Sequence, residues 1–386
     1  MAVVALLAFG PIVETDLGFH LATGRYILSH GSIPATNVLS FAEPAAASVN
    51  DEWLIAVLDA LAFRISPSAL VALRIALLLA TFSSFYAAAR AFGARAWPTA
   101  LVIVLGASAS AFRFLDRPYL FSNLTTALTL LGLAWSGVLC TRRRGLLLIA
   151  VASFAGPQLH AGAFFGVLLV LVSCLSSLAP ERLSHLLRLT PSNKEAWQFK
   201  LAPLGAALGG WLLAALALCL YHPLPWGVLS LPFVLGSDPY LHQNVVEYRA
   251  VWDQPVILLL PYWLFVLACV VALLGALRAR QLPTLGVLMM ASFGLALSLR
   301  HGRLVDLAVL FAAPLLALVI SAETVRPMVL RITQALALRW SHDLVWSRRV
   351  HRWSPKTHGP LPSTPSCSVS IWLGRRSFRM AGPGPT

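Results

Sequence analysis

VILLLPYWLFVLACVVALLGAL, residues 256 to 277, is the stretch that decides the fold. It carries no charged side chain, and its length matches the roughly 20 apolar residues a helix needs to cross bilayer hydrocarbon while bonding its own backbone. A soluble core would alternate short apolar stretches with polar surface, yet residues 101–107 and 145–155 are similarly free of charge. The whole chain of 386 residues is 58 % apolar and 11 % charged, where soluble domains carry roughly a quarter charged residues. Water is not its main solvent.

Working outward gives an all-α polytopic transmembrane bundle of about ten membrane segments. They fall at 2–13, 68–89, 97–112, 119–140, 145–156, 161–178, 201–220, 256–277, 283–299 and 304–321. The first is short for a crossing, so either the chain starts upstream or this segment leans on other helices. It lacks the basic n-region and A-x-A-like site of a signal peptide and is read as a span. The fifth and sixth meet at Pro157-Gln158-Leu159-His160, a tight polar re-entry. Residues 1–321 form the membrane domain, 322–353 a basic interfacial segment, and 354–386, rich in Pro, Ser, Gly and Arg, a disordered tail.

Charge orients the bundle. With the N-terminus and the C-terminal tail cytoplasmic, 21 of the 29 Lys and Arg residues lie inside and 7 outside, and Arg74 sits within a span. That is the positive-inside pattern of a multi-pass plasma membrane protein. The net charge of +14 then needs anionic lipids at the basic loops and tail as its partner, not nucleic acid. Acids show the opposite bias: 11 of 15 fall outside, which insertion rules do not require and which points to chemistry on that face. The five cysteines have no metal-ligand spacing and read as small packing residues.

The long first outer loop carries the most chemistry. Asp16 and His20 are four apart, so a helix restarting there places them on one face with Glu14 beside them. Such a group at the membrane surface serves as a general base, or binds a divalent metal that holds a phosphate. Read without any partner, the same residues are helix-end acids in water beside an interfacial histidine.

The loop runs Asp16-Leu17-x-x-His20-Leu21-x-Thr23-Gly24-Arg25-x-Ile27-Leu28, then Gly31-x-Ile33-Pro34, Ser40-Phe41 and Asn50-Asp51-Glu52-Trp53-Leu54. With Arg117-Pro118-Tyr119, Leu159-His160-Ala161-Gly162 and Arg300-His301-Gly302-Arg303, this pattern resembles bacterial GT-C-type glycosyltransferases, relatives of the protein mannosyltransferases and lipid A sugar transferases. The resemblance spans residues 1–321. It implies a transferase that takes a sugar from a polyprenyl-phosphate donor to an envelope or lipid acceptor outside the cytoplasm, at the bacterial inner membrane.

In such enzymes an acid at the end of the first span is catalytic base or metal ligand. The resemblance therefore assigns catalysis to Asp16, Glu14 and His20, with Asp16 and Glu14 as ligands for a divalent Mg or Mn. The usual N-H-E-W appears here as Asn50-Asp51-Glu52-Trp53, with an acid in place of the histidine. Asp51, Glu52, Arg113, Arg117, His160, Glu247, Arg300, His301 and Arg303 are the substrate-binding candidates, because guanidinium forks bind phosphate oxygens and acids take sugar hydroxyls. Each arginine alone also reads as a snorkelling helix-end residue. Two other classes stay open: a multi-pass transporter, for which Arg74 and the Pro157 break are the intramembrane features, and a non-catalytic scaffold of the same fold.

Overall fold

A computed structural model describes residues 1–137, 140–177, 201–278 and 284–322, all within one compact unit, Met1–Arg331. The segments 323–353 and 354–386 lie outside the described residues, so the expected interfacial stretch and tail are not addressed. Within the described residues the chain is helical, with one isolated antiparallel bridge between Thr36 and Ala47.

Every one of the ten apolar stretches contains a helix. They are α1 (Ala2–Ala8), α4 (Pro67–Ala91), α5 (Ala96–Ser110), α6 (Tyr119–Ser136), α7 (Arg142–Leu159), α8 (Phe164–Ser177), α9 (Ala202–Tyr221), α12 (Val256–Arg278), α13 (Leu285–Arg300) and α14 (Val305–Ser321). Five are long and apolar enough to cross a membrane: α4, α5 with its following turn, α9, α12, and α14 with its preceding turn. The first expected span is corrected: α1 ends at Ala8, and Phe9 is already extended. Gly10 and Pro11, both poor continuers of a helix, follow at once. Among the described residues the loops add four helices, α2 (Leu17–His30) and α3 (Trp53–Ile65) between α1 and α4, then α10 (Pro225–Ser237) and α11 (Pro239–Asn244).

Hydropathy alone does not say which spans are central. Nearly all of α14, 89 % of its apolar window, is buried inside the protein, against 28 % for the even more apolar α12. Helices α5, α12 and α13 pack around α14. Small residues let them close in: a methyl at Gly294 would meet Phe311, and one at Gly106 would meet Val309. On α9 and α12 the side chains of Leu212, Leu216, Leu220, Ile257, Leu260, Leu264 and Leu267 are exposed, as lipid-facing surface requires.

The long segment between α1 and α4 folds as a helical hairpin, α2 against α3. Gly24 makes this possible, since a Cβ there would lie 1.9 Å from the Ala56 carbonyl oxygen. Gly31 ends α2 in the left-handed conformation, φ 68°, which a residue without Cβ adopts at no steric cost. Asn50 then donates to the Pro34 carbonyl (2.7 Å), and His222 lies 3.2 Å from the Asn50 carbonyl, fixing the loop that carries Asp51 and Glu52.

Arg74, an ionisable residue inside a span, is buried, and its terminal nitrogens are engaged while Nε has no partner. Its guanidinium binds Asp116 (2.8 Å) and donates to the carbonyls of Gly10 (2.6 Å) and Pro11 (3.4 Å). It thus ties α4 to the strand-like segment before α2 and to the turn before α6.

Candidate active site

Asp16 stands at the N-cap of α2, and the His20 amide donates to its backbone carbonyl, so the expected one-turn spacing is real. The helix restarts here and does not continue α1. The two acids of this segment have opposite environments. Glu14 has its side chain only 1 % exposed and accepts a hydrogen bond from Arg117 Nε, whereas the Asp16 side chain is 64 % exposed with Oδ2 3.9 Å from Arg117 Nη2.

Arg117 and Arg113 come from the turn between α5 and α6. Arg117 Nη1 meets Glu247 Oε1 at 2.7 Å, and Arg113 Nη1 meets Glu247 Oε2 at 3.3 Å, so one carboxylate is forked by two guanidiniums. Burial pushes the Glu247 carboxyl up, but Arg113 and Arg117 outweigh it and hold the group below its usual range. Arg113 also lies over the Tyr119 ring, 4.0 Å from its centroid, while Tyr119 donates its hydroxyl to the Arg113 carbonyl.

Across the cavity, Glu52 bridges two histidines: Oε2 to His20 Nδ1 at 3.6 Å and Oε1 to His160 Nε2 at 3.4 Å. His160 is the extended residue between α7 and α8. Its Nδ1 receives the Gly162 amide (2.9 Å) and lies 2.8 Å from Ser122 Oγ. Burial lowers His160 to about 3, helped by Arg303, and burial together with Asp51 holds Glu52 well above the usual carboxylate range. Burial likewise lowers His20, although Asp16 and Glu14 pull it back. Burial thus opposes charge on Glu52 and on both histidines, which weakens these contacts as ion pairs. Asp51 accepts from the Ala161 amide (3.4 Å), and burial pushes its carboxyl up to about 6.

Two cavities meet at this place. A polar one of about 410 Å³ is lined by Asp16, His20, Glu52, Arg117 and Glu247, and an apolar one of about 240 Å³ by Phe164, Phe165, Leu168, Leu235, Leu297 and Leu307 among others. They share Arg113, Tyr119, His160, Tyr248 and Arg303. Arg303 sits in the turn before α14 with its guanidinium 4.3 Å from the Tyr248 ring centroid. His301 lines the apolar cavity, its Nδ1 3.3 Å from the Tyr248 carbonyl.

Most of the expected residues are thus brought together, but Glu14, Asp51 and Arg300 line neither cavity. Arg300 ends α13 with its side chain exposed. The metal pair does not form either: Glu14 is taken up by Arg117, and Asp16 faces outward. Among the described residues, no group of three or more His, Cys, Asp or Glu side chains is placed to hold a metal ion.

Sequence reading missed Ser122, Asn123 and Asp306. Tyr119, Ser122 and Asn123 lie at i, i+3 and i+4 on α6 and so share the face that lines the apolar cavity. Asn123 donates to buried Asp306 (2.6 Å). An acid entering the most buried helix was the available signal, since such a group in a span is costly and conspicuous.

No family model matches the chain, and no curated protein matches it in sequence. Among solved structures, the fold is similar to that of the archaeal oligosaccharyltransferase AglB from Archaeoglobus fulgidus, determined in complex with an inhibitory peptide and a dolichol-phosphate. The TM-score is 0.54 at 12 % identity, over 90 % of this chain and 53 % of that one. This chain therefore spans about half the length of that protein. The likeness shows the fold alone: a polytopic helical membrane bundle.

Proposed function

We propose that the chain is a membrane glycosyltransferase that moves a sugar from a polyprenyl-phosphate donor to an envelope or lipid acceptor at the non-cytoplasmic face of the bacterial inner membrane. In this reading the N-terminus and tail are cytoplasmic, and anionic lipids meet the basic loops. The single observation that carries it is the junction of the two cavities. A charged vestibule continuous with an apolar pocket, with guanidiniums at the seam, matches a ligand whose phosphate joins a sugar to a prenyl chain. The neighbouring fold was determined with a dolichol-phosphate, a ligand of the same build.

The chemistry follows from the environments. Asp16, the exposed acid of the vestibule, takes the proton of the acceptor hydroxyl as that oxygen attacks the anomeric carbon. The bond from this carbon to the phosphate oxygen breaks, and the negative charge left on the polyprenyl phosphate is held by Arg303 and Arg113. Glu52, His160 and His20, lining the same vestibule, offer hydrogen bonds to sugar hydroxyls. Phe165, Leu168 and Leu235 receive the first units of the prenyl chain.

The test is transfer from a panel of short-chain polyprenyl-phosphate hexoses and pentoses to an envelope lipid extract, with the chain in proteoliposomes. Asp16→Asn is expected to lose about 10²–10⁴-fold in rate with unchanged thermal stability. Full activity in that variant removes Asp16 as the base. A wild type that makes no product across the panel, yet moves a solute, favours the transporter reading; one that does neither favours the scaffold.

A further inference from the structure

The hairpin of α2 and α3 carries a further polar cavity away from the vestibule. It has a volume of about 380 Å³ and is lined by Arg25, Leu28 and Ser29 of α2 and by Ala60 and Arg64 of α3. It shares no residue with the two cavities of the candidate active site. Arg25 follows His20 by five residues, which at 3.6 residues per turn is about 140° around the helix axis, so the two side chains leave α2 on different faces. Two guanidiniums from different helices thus line one space, and among the described residues neither pairs with a carboxylate. Arg25 lies instead over the Phe63 ring, 5.6 Å from its centroid. Like charges around one cavity repel, and an anion placed between them relieves that repulsion.

The position says which anion. Arg64 stands three residues before Pro67, where α4 begins, and α4 is long and apolar enough to cross a membrane. The end of α3 therefore lies at the level where that helix enters the bilayer. Leu28 in the lining, and Leu61 and Ile65 beside Ala60 and Arg64, are exposed, Ile65 by 83 %. An apolar rim around two guanidiniums suits a phosphate that carries acyl chains better than a free anion in water. We infer that this cavity binds the phosphate of an anionic lipid, with Arg25 and Arg64 as its cationic partners and Leu28, Leu61 and Ile65 against its chains. Planar guanidiniums take phosphate oxygens in pairs. Gripping both helices, the lipid moors to the bilayer the hairpin that bears Asp16, His20 and Glu52. The site goes beyond the transferase reading, and its test needs no transfer.

The experiment titrates short-chain phosphatidylglycerol into the full chain in neutral detergent and reads Tm, with phosphatidylcholine and inorganic phosphate in parallel. Wild type is expected to gain several degrees, saturably, with phosphatidylglycerol, less with phosphatidylcholine and nothing with millimolar inorganic phosphate. Arg25→Gln with Arg64→Gln changes only exposed positions. It should start from the wild-type Tm and need about tenfold more phosphatidylglycerol for half the rise. Arg143→Gln with Arg144→Gln, exposed near the start of α7, should keep the wild-type midpoint. A wild type that does not respond to phosphatidylglycerol overturns the inference, as does an unchanged midpoint in the Arg25/Arg64 variant. So does an equal shift in the Arg143/Arg144 variant, the mark of a general basic surface. An equal rise with inorganic phosphate overturns the lipid assignment. Should the double variant not accumulate, Arg64→Gln alone is expected to shift the midpoint about threefold, and no shift overturns the inference.

Discussion

The two arginine–carboxylate centres near the start of α6 differ in almost everything but their chemistry. Arg74 and Asp116 have side chains 3 % and 6 % exposed and close on each other, with two backbone carbonyls accepting from the same guanidinium while Arg74 Nε and Asp116 Oδ1 keep no partner. Arg117 is 22 % exposed, and its partners Glu247 and Asp16 are 39 % and 64 % exposed around a cavity. The first pair is finished within the protein, whereas the second leaves room for a third party. A buried ion pair whose lone pairs and protons are mostly answered locally is part of the architecture. A similar pair at the rim of a cavity retains electrostatic work to do on a ligand.

Breaking the closed pair gives the largest expected effect. Arg74→Met strands a buried carboxylate and should cost about 3–5 kcal/mol of stability. The double variant Arg74→Met with Asp116→Leu should recover most of that loss. Thermal unfolding of the three proteins in nanodiscs checks this, and an Arg74→Met protein as stable as wild type would show that the pair is not closed. On the open side the prediction is inverted. Arg303→Ala removes a guanidinium from the seam of the two cavities and should raise the donor KM about tenfold, the worth of one charge-assisted hydrogen bond. Its Tm should stay near wild type, and a large fall in Tm with unchanged KM would move Arg303 into the closed category.

The smallest effect sharpens the comparison through pH. Asp51 binds its proton more tightly in the folded chain, at about 6, than at the ordinary value of 3.8. Between these values the folded state holds more protons than the unfolded state, so stability falls as pH rises through that window. Asp51→Asn keeps an oxygen acceptor for the Ala161 amide but removes the titration. Its Tm should match wild type near pH 4 and exceed it by about 2 °C at pH 7. A wild-type Tm that instead rises across this window would show Asp51 to be stabilised as the anion.

Much of this was legible without coordinates, for a definite reason. Bilayer thickness dictates span length, so all ten apolar stretches contain helices in the structure. Asp16 and His20 were readable as neighbours because a helical turn is a local rule. Arg113, Arg117, His160 and Arg303 were readable only as candidates, since each lies near a helix end where a snorkelling arginine or interfacial histidine looks the same. Arg300, three residues from Arg303, lines neither cavity. Asp51 and Glu52 are adjacent in sequence yet diverge, one to the Ala161 amide and one to two histidines.

The sequence by itself determined that this chain lives in a membrane, which apolar stretches hold helices, and which short-range pairs share a helical face, because these depend on hydrophobic length and on the 3.6-residue turn. Only the tertiary structure decided that α14 is central while the more apolar α12 faces outward, and that Glu14 is spent on an arginine 103 positions away while Asp16 is left open. In lipid, apolar side chains are equally at home inside the bundle and on its surface, so hydropathy cannot rank them. The partners of a charge at the rim are chosen by packing between distant segments, which no local pattern records.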